Sequence, residues 1–218
     1  LPGVENRNGD RRPTGLYVGL GVKVAGSQVD FSQGGLVTTD RELDFAINGN
    51  GFFQVLVEAD IAPGGIAYTR AGSFAVNGDG ELVLANGSGR RLEPSITIPD
   101  DATGLDVTAD GRVLVSVPGQ VEAQEVGQLE LAKFINPQGL SQIGENLFAE
   151  TIASGAPTLN TPGQGGTGEV RNRFLEGSNV NPTFELIDLI RTQRAFEMNS
   201  QTIRAADETL RSVAQLRR

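Results

Sequence analysis

"SNVNPTFELIDLIRTQRAFEMNSQTIRAADETLRSVAQLRR", residues 178–218, closes the chain and reads unlike the text before it. It contains no glycine and a single proline near its start, in a chain of 218 residues that holds 29 glycines. Asn181 can cap a helix, Pro182 suits a first helical turn, and Glu185 and Asp188 favour the positive end of a helix dipole. Six arginines follow, ending in Arg217 and Arg218, where cations are favoured. Leu189, Phe196, Ile203 and Leu210 recur every seven residues. Leu186, Ile190, Val213 and Ala214 flank that line, and Gln193, Ser200 and Asp207 interrupt it. So narrow a stripe is a coiled-coil-like seam, not the broad face of a globular core helix. Some 35 residues of helix at about 1.5 Å each would also make a rod of about 50 Å, longer than a domain of this size is wide. The expectation is a seam for another helix, with packing against the rest of this chain as the alternative.

What precedes the helix is a text of short strands and tight turns. Residues 1–14, "LPGVENRNGDRRPT", form a polar arm or loop punctuated by Gly, Pro and Asn. Residues 15–42 read as a connecting β segment. It opens with "GLYVGLGVKV", whose Leu16, Val18, Leu20 and Val22 alternate onto one face of a strand. Residues 43–145 predict a β-rich outer domain. There "LDFAI" runs through Asn48-Gly49-Asn50-Gly51 into "FFQVLV", "SFAV" through Asn77-Gly78-Asp79-Gly80 into "ELVLA", and "LDVT" through Asp110-Gly111 into "RVLVSV". Asn-Gly and Asp-Gly favour the positive-φ turns that close hairpins, so each is a hairpin signal. "VGQLELAKFI" is a further strand. Residues 146–180 read as an extended return connector, with "SGAPTLNTPGQGGTG" at 154–168 its most flexible part. The fold class is mainly β with one long C-terminal α-helix. Nothing in residues 1–180 reads as that helix's partner. The chain begins at Leu1 instead of Met, so the expected partner is a segment ahead of Leu1, another subunit, or both.

Composition narrows the chemistry. There is no cysteine and no histidine, which excludes disulfides, Cys/His zinc sites, thiol nucleophiles and histidine-based triads. The net charge is −9, against nucleic-acid binding as the main task, since phosphate contacts need a basic face. From Asn181 onward six arginines face five acids, so residues 1–180 carry about −10. No apolar run approaches the ~20 residues of a membrane span and no signal peptide is visible, which predicts no membrane insertion.

Apparent motifs dissolve on inspection. "GQGGTG" at 163–168 spells a dinucleotide-binding pattern, but it follows a loop and opens no helix. "NGDG" lacks the spaced acids of a calcium loop and is a hairpin turn. Asn86-Gly87-Ser88 is a glycosylation sequon by spelling only, and Pro182 excludes the one at Asn181. Asp100 and Asp101 could in principle serve glycoside chemistry, but beside Pro99 they read as a solvated turn. No catalytic, cofactor-binding or metal-binding constellation emerges.

Three stretches carry a resemblance. "LDFAINGNGFFQV" (43–55), "YTRAGSF" (68–74), and "LEGSNVN" (175–181) running into "ELIDLIRTQRAFEMNSQTI" are similar to the bacterial flagellar rod and hook family. Within it, "PTGLYVGLGVKV", "FINPQGL" and "GENLFAETIASGAP" most resemble the distal rod branch. The resemblance implies a non-enzymatic structural subunit without cofactors. It implies assembly into a helical homopolymer of β-rich outer domains around an inner tube of paired terminal helices. The seam residues Leu186, Leu189, Ile190, Phe196, Ile203, Leu210 and Val213 would make the tube, and Asn48, Gly49, Gly51, Phe52 and Phe53 form the family's signature turn. Implied partners are further copies, the proximal rod and hook proteins, the L- and P-ring bushing and the flagellar export apparatus. The implied location is the basal body across the periplasm, reached without a cleaved signal peptide. The 1–14 arm, with Arg7, Arg11 and Arg12, would dock on the acidic surface of a neighbour and stiffen the rod.

Two other readings stay open on residues alone. One is a proximal rod or hook subunit of the same machine. The other is a secreted acidic β-rich enzyme acting on polysaccharide, which leaves the C-terminal seam unexplained.

Overall fold

A computed structural model describes residues 21–216 apart from Ser27 and Val121. The 1–14 arm, its Arg7, Arg11 and Arg12, and the alternating stretch up to Leu20 lie outside the described residues. The chain divides into two units, residues 1–30 and 31–218. In the first, the alternating strand expected through Lys23 does not reach the described part: residues 21–26 have no regular structure and are exposed. Gly21 has φ +99, outside the β region, and Val22 and Val24 are bare.

Among its described residues the second unit holds sixteen short strands, two single-turn 3-10 helices (Pro63–Gly65 and Pro137–Gly139) and one α-helix. In chain order the strands are β1 (Leu36–Thr38), β2 (Phe45–Asn48), β3 (Phe53–Leu56), β4 (Ile66–Thr69), β5 (Phe74–Val76), β6 (Leu82–Leu84), β7 (Leu92–Glu93) and β8 (Gly104–Val107). They continue with β9 (Arg112–Ser116), β10 (Gln124–Gln128), β11 (Leu131–Lys133), β12 (Ser141–Gly144), β13 (Leu147–Ala149), β14 (Thr158–Asn160), β15 (Glu169–Asn172) and β16 (Phe174–Glu176). The helix α1 runs Pro182–Leu216. A five-stranded antiparallel sheet, β12-β13-β4-β3-β7, is the largest. Around it lie a three-stranded sheet, β10-β9-β8, and four two-stranded pairs: β1-β16, β11-β14, β15-β2 and β5-β6.

Alternation along β3 divides the interior. Phe53 and Val55 face the main core with Phe45, Phe74, Leu92, Val113 and Leu131. Phe74 stacks on Phe45 and meets Phe53 edge-on, both with centroids 5.4 Å apart. Phe52, one residue out of phase, joins a second cluster with Tyr68, Phe134 and Leu140, against which Phe31 and Phe148 pack. Burial pushes the Tyr68 hydroxyl up to about 12, helped by the Glu150 carboxylate.

Two hairpins form where their turns predict them. Asn77–Gly80 joins the paired β5 and β6, and Asp110-Gly111 joins the paired β8 and β9. The third does not. The Asn48–Gly51 turn separates β2 from β3, and the two strands are not partners: β2 pairs with β15 and β3 with β4 and β7. Its glycines stand at φ +121 and +140 instead of the left-handed values of a two-residue hairpin. The single strand expected over "VGQLELAKFI" is two. β10 pairs with β9 through a bulge near Gly127, and β11 leaves to pair with β14. The connector expected over residues 146–180 is itself woven into the sheets, since it supplies β13 to β16. Asp100 and Asp101 are exposed in a turn closed by Ala102 N–H donating to the Pro99 carbonyl at 3.1 Å.

Candidate functional site

Asn181 starts α1 as its composition suggests. Its side-chain oxygen accepts from the Thr183 amide at 3.0 Å, and its carbonyl accepts from the Phe184 and Glu185 amides at 3.1 and 3.2 Å. Beyond that cap the helix touches almost nothing. Every described helix residue is exposed except Ser200, which is half-buried. The seven seam residues range from 48 % exposed at Ile190 to 74 % at Phe196. Heptad spacing on a helix of 3.6 residues per turn drifts ~20° per repeat, so Leu189, Phe196, Ile203 and Leu210 form a slowly winding line, not a flat face. Thr192, Thr202, Thr209 and Ser212 donate to carbonyls three or four residues back, at 2.7–3.0 Å, which satisfies these hydroxyls within the helix. Among the described residues no helix is long and apolar enough to cross a membrane.

Below the helix lies a neck. β1 and β16 pair antiparallel, Leu36 with Glu176, Val37 with Leu175 and Thr38 with Phe174. The pairing is extended at both ends, by Thr39 N–H to the Arg173 carbonyl at 2.7 Å and Gly177 N–H to the Gly35 carbonyl at 2.8 Å. Asn179 adds a side-chain bond to the Ser32 carbonyl at 3.0 Å.

The signature turn is fastened to this neck. Arg70 donates to the Gly51 carbonyl at 2.9 Å and the Gly49 carbonyl at 3.2 Å, and pairs with Glu176 at 2.8 Å. The other Glu176 oxygen accepts from the Gly34 amide at 3.0 Å. Gln33 receives the Gly49 amide at 2.9 Å. Of the five signature residues, Asn48 is exposed, Gly49 half-buried, and Gly51, Phe52 and Phe53 buried. None of them lies on the helix seam, so helix and turn are separate sites, and Arg70 with Glu176 joins the turn to the neck. Neither of those two residues stood out in sequence as more than a letter in "YTRAGSF" and "LEGSNVN". Hydropathy cannot flag an arginine whose use is to gather carbonyls.

Two family models match. That for the flagellar hook protein FlgE/F/G D1 domain covers residues 46–115, and that for the flagellar basal body rod FlgEFG protein C-terminal covers residues 171–216. The flagellar basal-body rod protein FlgG of Buchnera aphidicola (subsp. Acyrthosiphon pisum) is 44% identical over 204 residues, which is 94% of this chain and 76% of that protein. The chain belongs to the flagellar basal-body rod protein family. The rod protein FlgG of Caulobacter vibrioides is 45% identical over 211 residues, 96% of this chain and 78% of its own. The flagellar hook protein FlgE of Salmonella typhimurium is 32% identical over 188 residues, 82% of this chain but 45% of that protein. In this rod-family chain the second match takes in β16, one strand of the neck, together with the helix, and the first holds the signature turn and Arg70. The Arg70–Glu176 pair therefore ties one matched region to the other.

Proposed function

We propose that this chain is a structural subunit of the distal flagellar rod, working by self-assembly and not by catalysis. The observation that carries the reading is the bare seam of α1 beside a β domain whose own core is complete. Long helices gain most of their stability from packing, so a 35-residue helix with seven exposed apolar residues in register calls for partner helices. Helices of neighbouring copies, set side by side around a common axis, supply that cover and place the β domains outside.

Coverage favours the rod over the hook, because the chain aligns with about three quarters of the rod relatives and less than half of the hook protein. In the assembled machine such a subunit would meet proximal rod proteins at one end and hook proteins at the other. It would turn inside the L- and P-ring bushing, having left the cell through the flagellar export apparatus without a cleaved signal peptide and crossed the periplasm as part of the shaft. Residues 31–180 carry nineteen acids against eight bases, and that acidity would keep a like-charged bushing loose.

The test is Phe196→Ala with Ile203→Ala in the full-length subunit. Truncating a large apolar side chain that becomes buried costs about 2–5 kcal/mol, and both lie in mid-seam. The β domain should melt as in the wild type while rods fail to form. A motile strain carrying the double variant would defeat the proposal.

A further inference from the structure

β15 ends at Asn172 beside β2, and β16 begins at Phe174 beside β1. Arg173 is therefore the residue at which the chain changes partner and leaves the β domain for the neck. It stands at φ +63, a left-handed value that glycine adopts freely and arginine does not. Its surroundings hold it there. The Arg173 amide donates to the Asp44 carbonyl and its carbonyl accepts from the Thr39 amide, each at 2.7 Å. Its guanidinium meets Glu42 at 3.0 Å, and the other Glu42 oxygen accepts from the Leu105 amide of β8 at 3.1 Å. Asn172 donates to the Asp106 carboxylate, also on β8, at 2.9 Å. The Arg173–Glu42 pair is largely exposed and weak by itself, but strained backbone persists where several neighbours fix it together. Here the link between β1 and β2 and the three-stranded sheet both do.

The far end of β16 is fixed as well. Glu176 pairs with Arg70 at 2.8 Å and accepts from the Gly34 amide at 3.0 Å. Just beyond it the entering and leaving chains pass so closely that a Cβ on Gly34 would run into the Gly177 carbonyl. A hinge needs a few residues free to absorb a change of φ and ψ. β16 has three residues, all in register with β1, between two such fastenings.

We infer that the neck is a fixed joint: each subunit sets the direction in which its β domain stands on the neck by itself, through Arg173 and Glu176, before any neighbour is in place. The use of the joint, though not its geometry, rests on the rod reading. Torque that enters through α1 then reaches the outer domain without being lost in a swinging link, and neighbouring copies add to a pose that already exists.

The chain has no cysteine, so two introduced thiols take spin labels cleanly. Val37→Cys on the neck and Gln142→Cys on β12, both exposed, report neck against domain by double electron–electron resonance in the full-length subunit. One narrow distance is expected before assembly, and the same distance within assembled rods diluted with unlabelled subunits. Arg173→Gly with Asp106→Ala frees the corner, and Glu176→Ala frees the far end. Either set alone leaves one fastening and should keep the distance narrow. All three together should spread it while the β domain still melts cooperatively. A broad distribution in the unassembled parent, or a distance that changes on assembly, would overturn the fixed joint. So would a triple variant that keeps both its fold and the narrow distance, and if that variant fails to fold the parent distances decide. A subunit that never polymerises would overturn the rod reading, and its unassembled distance would still judge the joint.

Discussion

Arg70 and Glu176, 106 residues apart in the chain, meet at 2.8 Å with side chains only 15% and 12% exposed. Both are otherwise engaged, Arg70 with the signature-turn carbonyls and Glu176 with the Gly34 amide. Removing one member of a largely buried pair strands the other, at a cost of about 3–5 kcal/mol. Arg70→Ala should therefore lower the urea midpoint of the β domain more than Glu176→Gln, which keeps an acceptor for Gly34. The two changes together should cost less than their sum. Strict additivity would show that the pair is not coupled.

The exposed helix should be frayed in the isolated subunit. Amide exchange across Thr192–Leu210 is expected to be fast before assembly and slow within rods, since protection must come from neighbours. Asn181→Ala removes the 3.0 Å cap to Thr183 and should cost about 1 kcal/mol of helix stability. Strong protection in the monomer would mean that the helix finds its cover within its own chain.

Gly51 offers a local test of the signature turn. It stands at φ +140, and an added Cβ would lie 3.3 Å from the Leu131 side chain. Gly51→Val adds a β-branched side chain where both backbone and neighbour oppose it. A fall in Tm of several degrees or outright misfolding is expected by thermal melting, and a neutral result would count against this account of the turn.

Tyr68 sets an alkaline limit. Its hydroxyl titrates near 10 when unfolded and near 12 in the folded domain, mainly because it is buried. The unfolded chain thus releases its proton first. Stability from this group is complete below pH 10 and declines as pH rises from there towards 12. Tyr68→Phe should flatten that decline in urea midpoints measured across the range, and an unchanged slope would remove Tyr68 from the explanation.

The helix could be read from sequence almost to the residue, because cap, dipole charges and seven-residue spacing are all local signals. So could the β5-β6 and β8-β9 hairpins, whose strands flank their own turns. The Asn48–Gly51 turn was opaque because the partner of β2 is β15, more than a hundred residues on, and "EVRN" carries no alternating apolar signal. β14 escaped notice for the same reason: Thr158–Asn160 is short, polar, and defined only by its match to β11. Of the candidate sites, the seam was legible as a pattern. The Arg70–Glu176 rivet was not, since it exists only once distant parts of the chain are brought together.

The neck has a geometric consequence. Entry and exit of the β domain run side by side through β1 and β16, only three residue pairs wide. Everything between Thr38 and Phe174 hangs from that double strand like a pendant from a clasp. Away from Arg70 and the Asn48–Gly51 turn, which are bonded to the neck, residues can be added, removed or replaced without changing where the chain returns to begin α1. The outer bulk of such a subunit is thus free to grow or shrink while the spacing of its terminal helix stays constant, so one shaft can wear collars of different thickness.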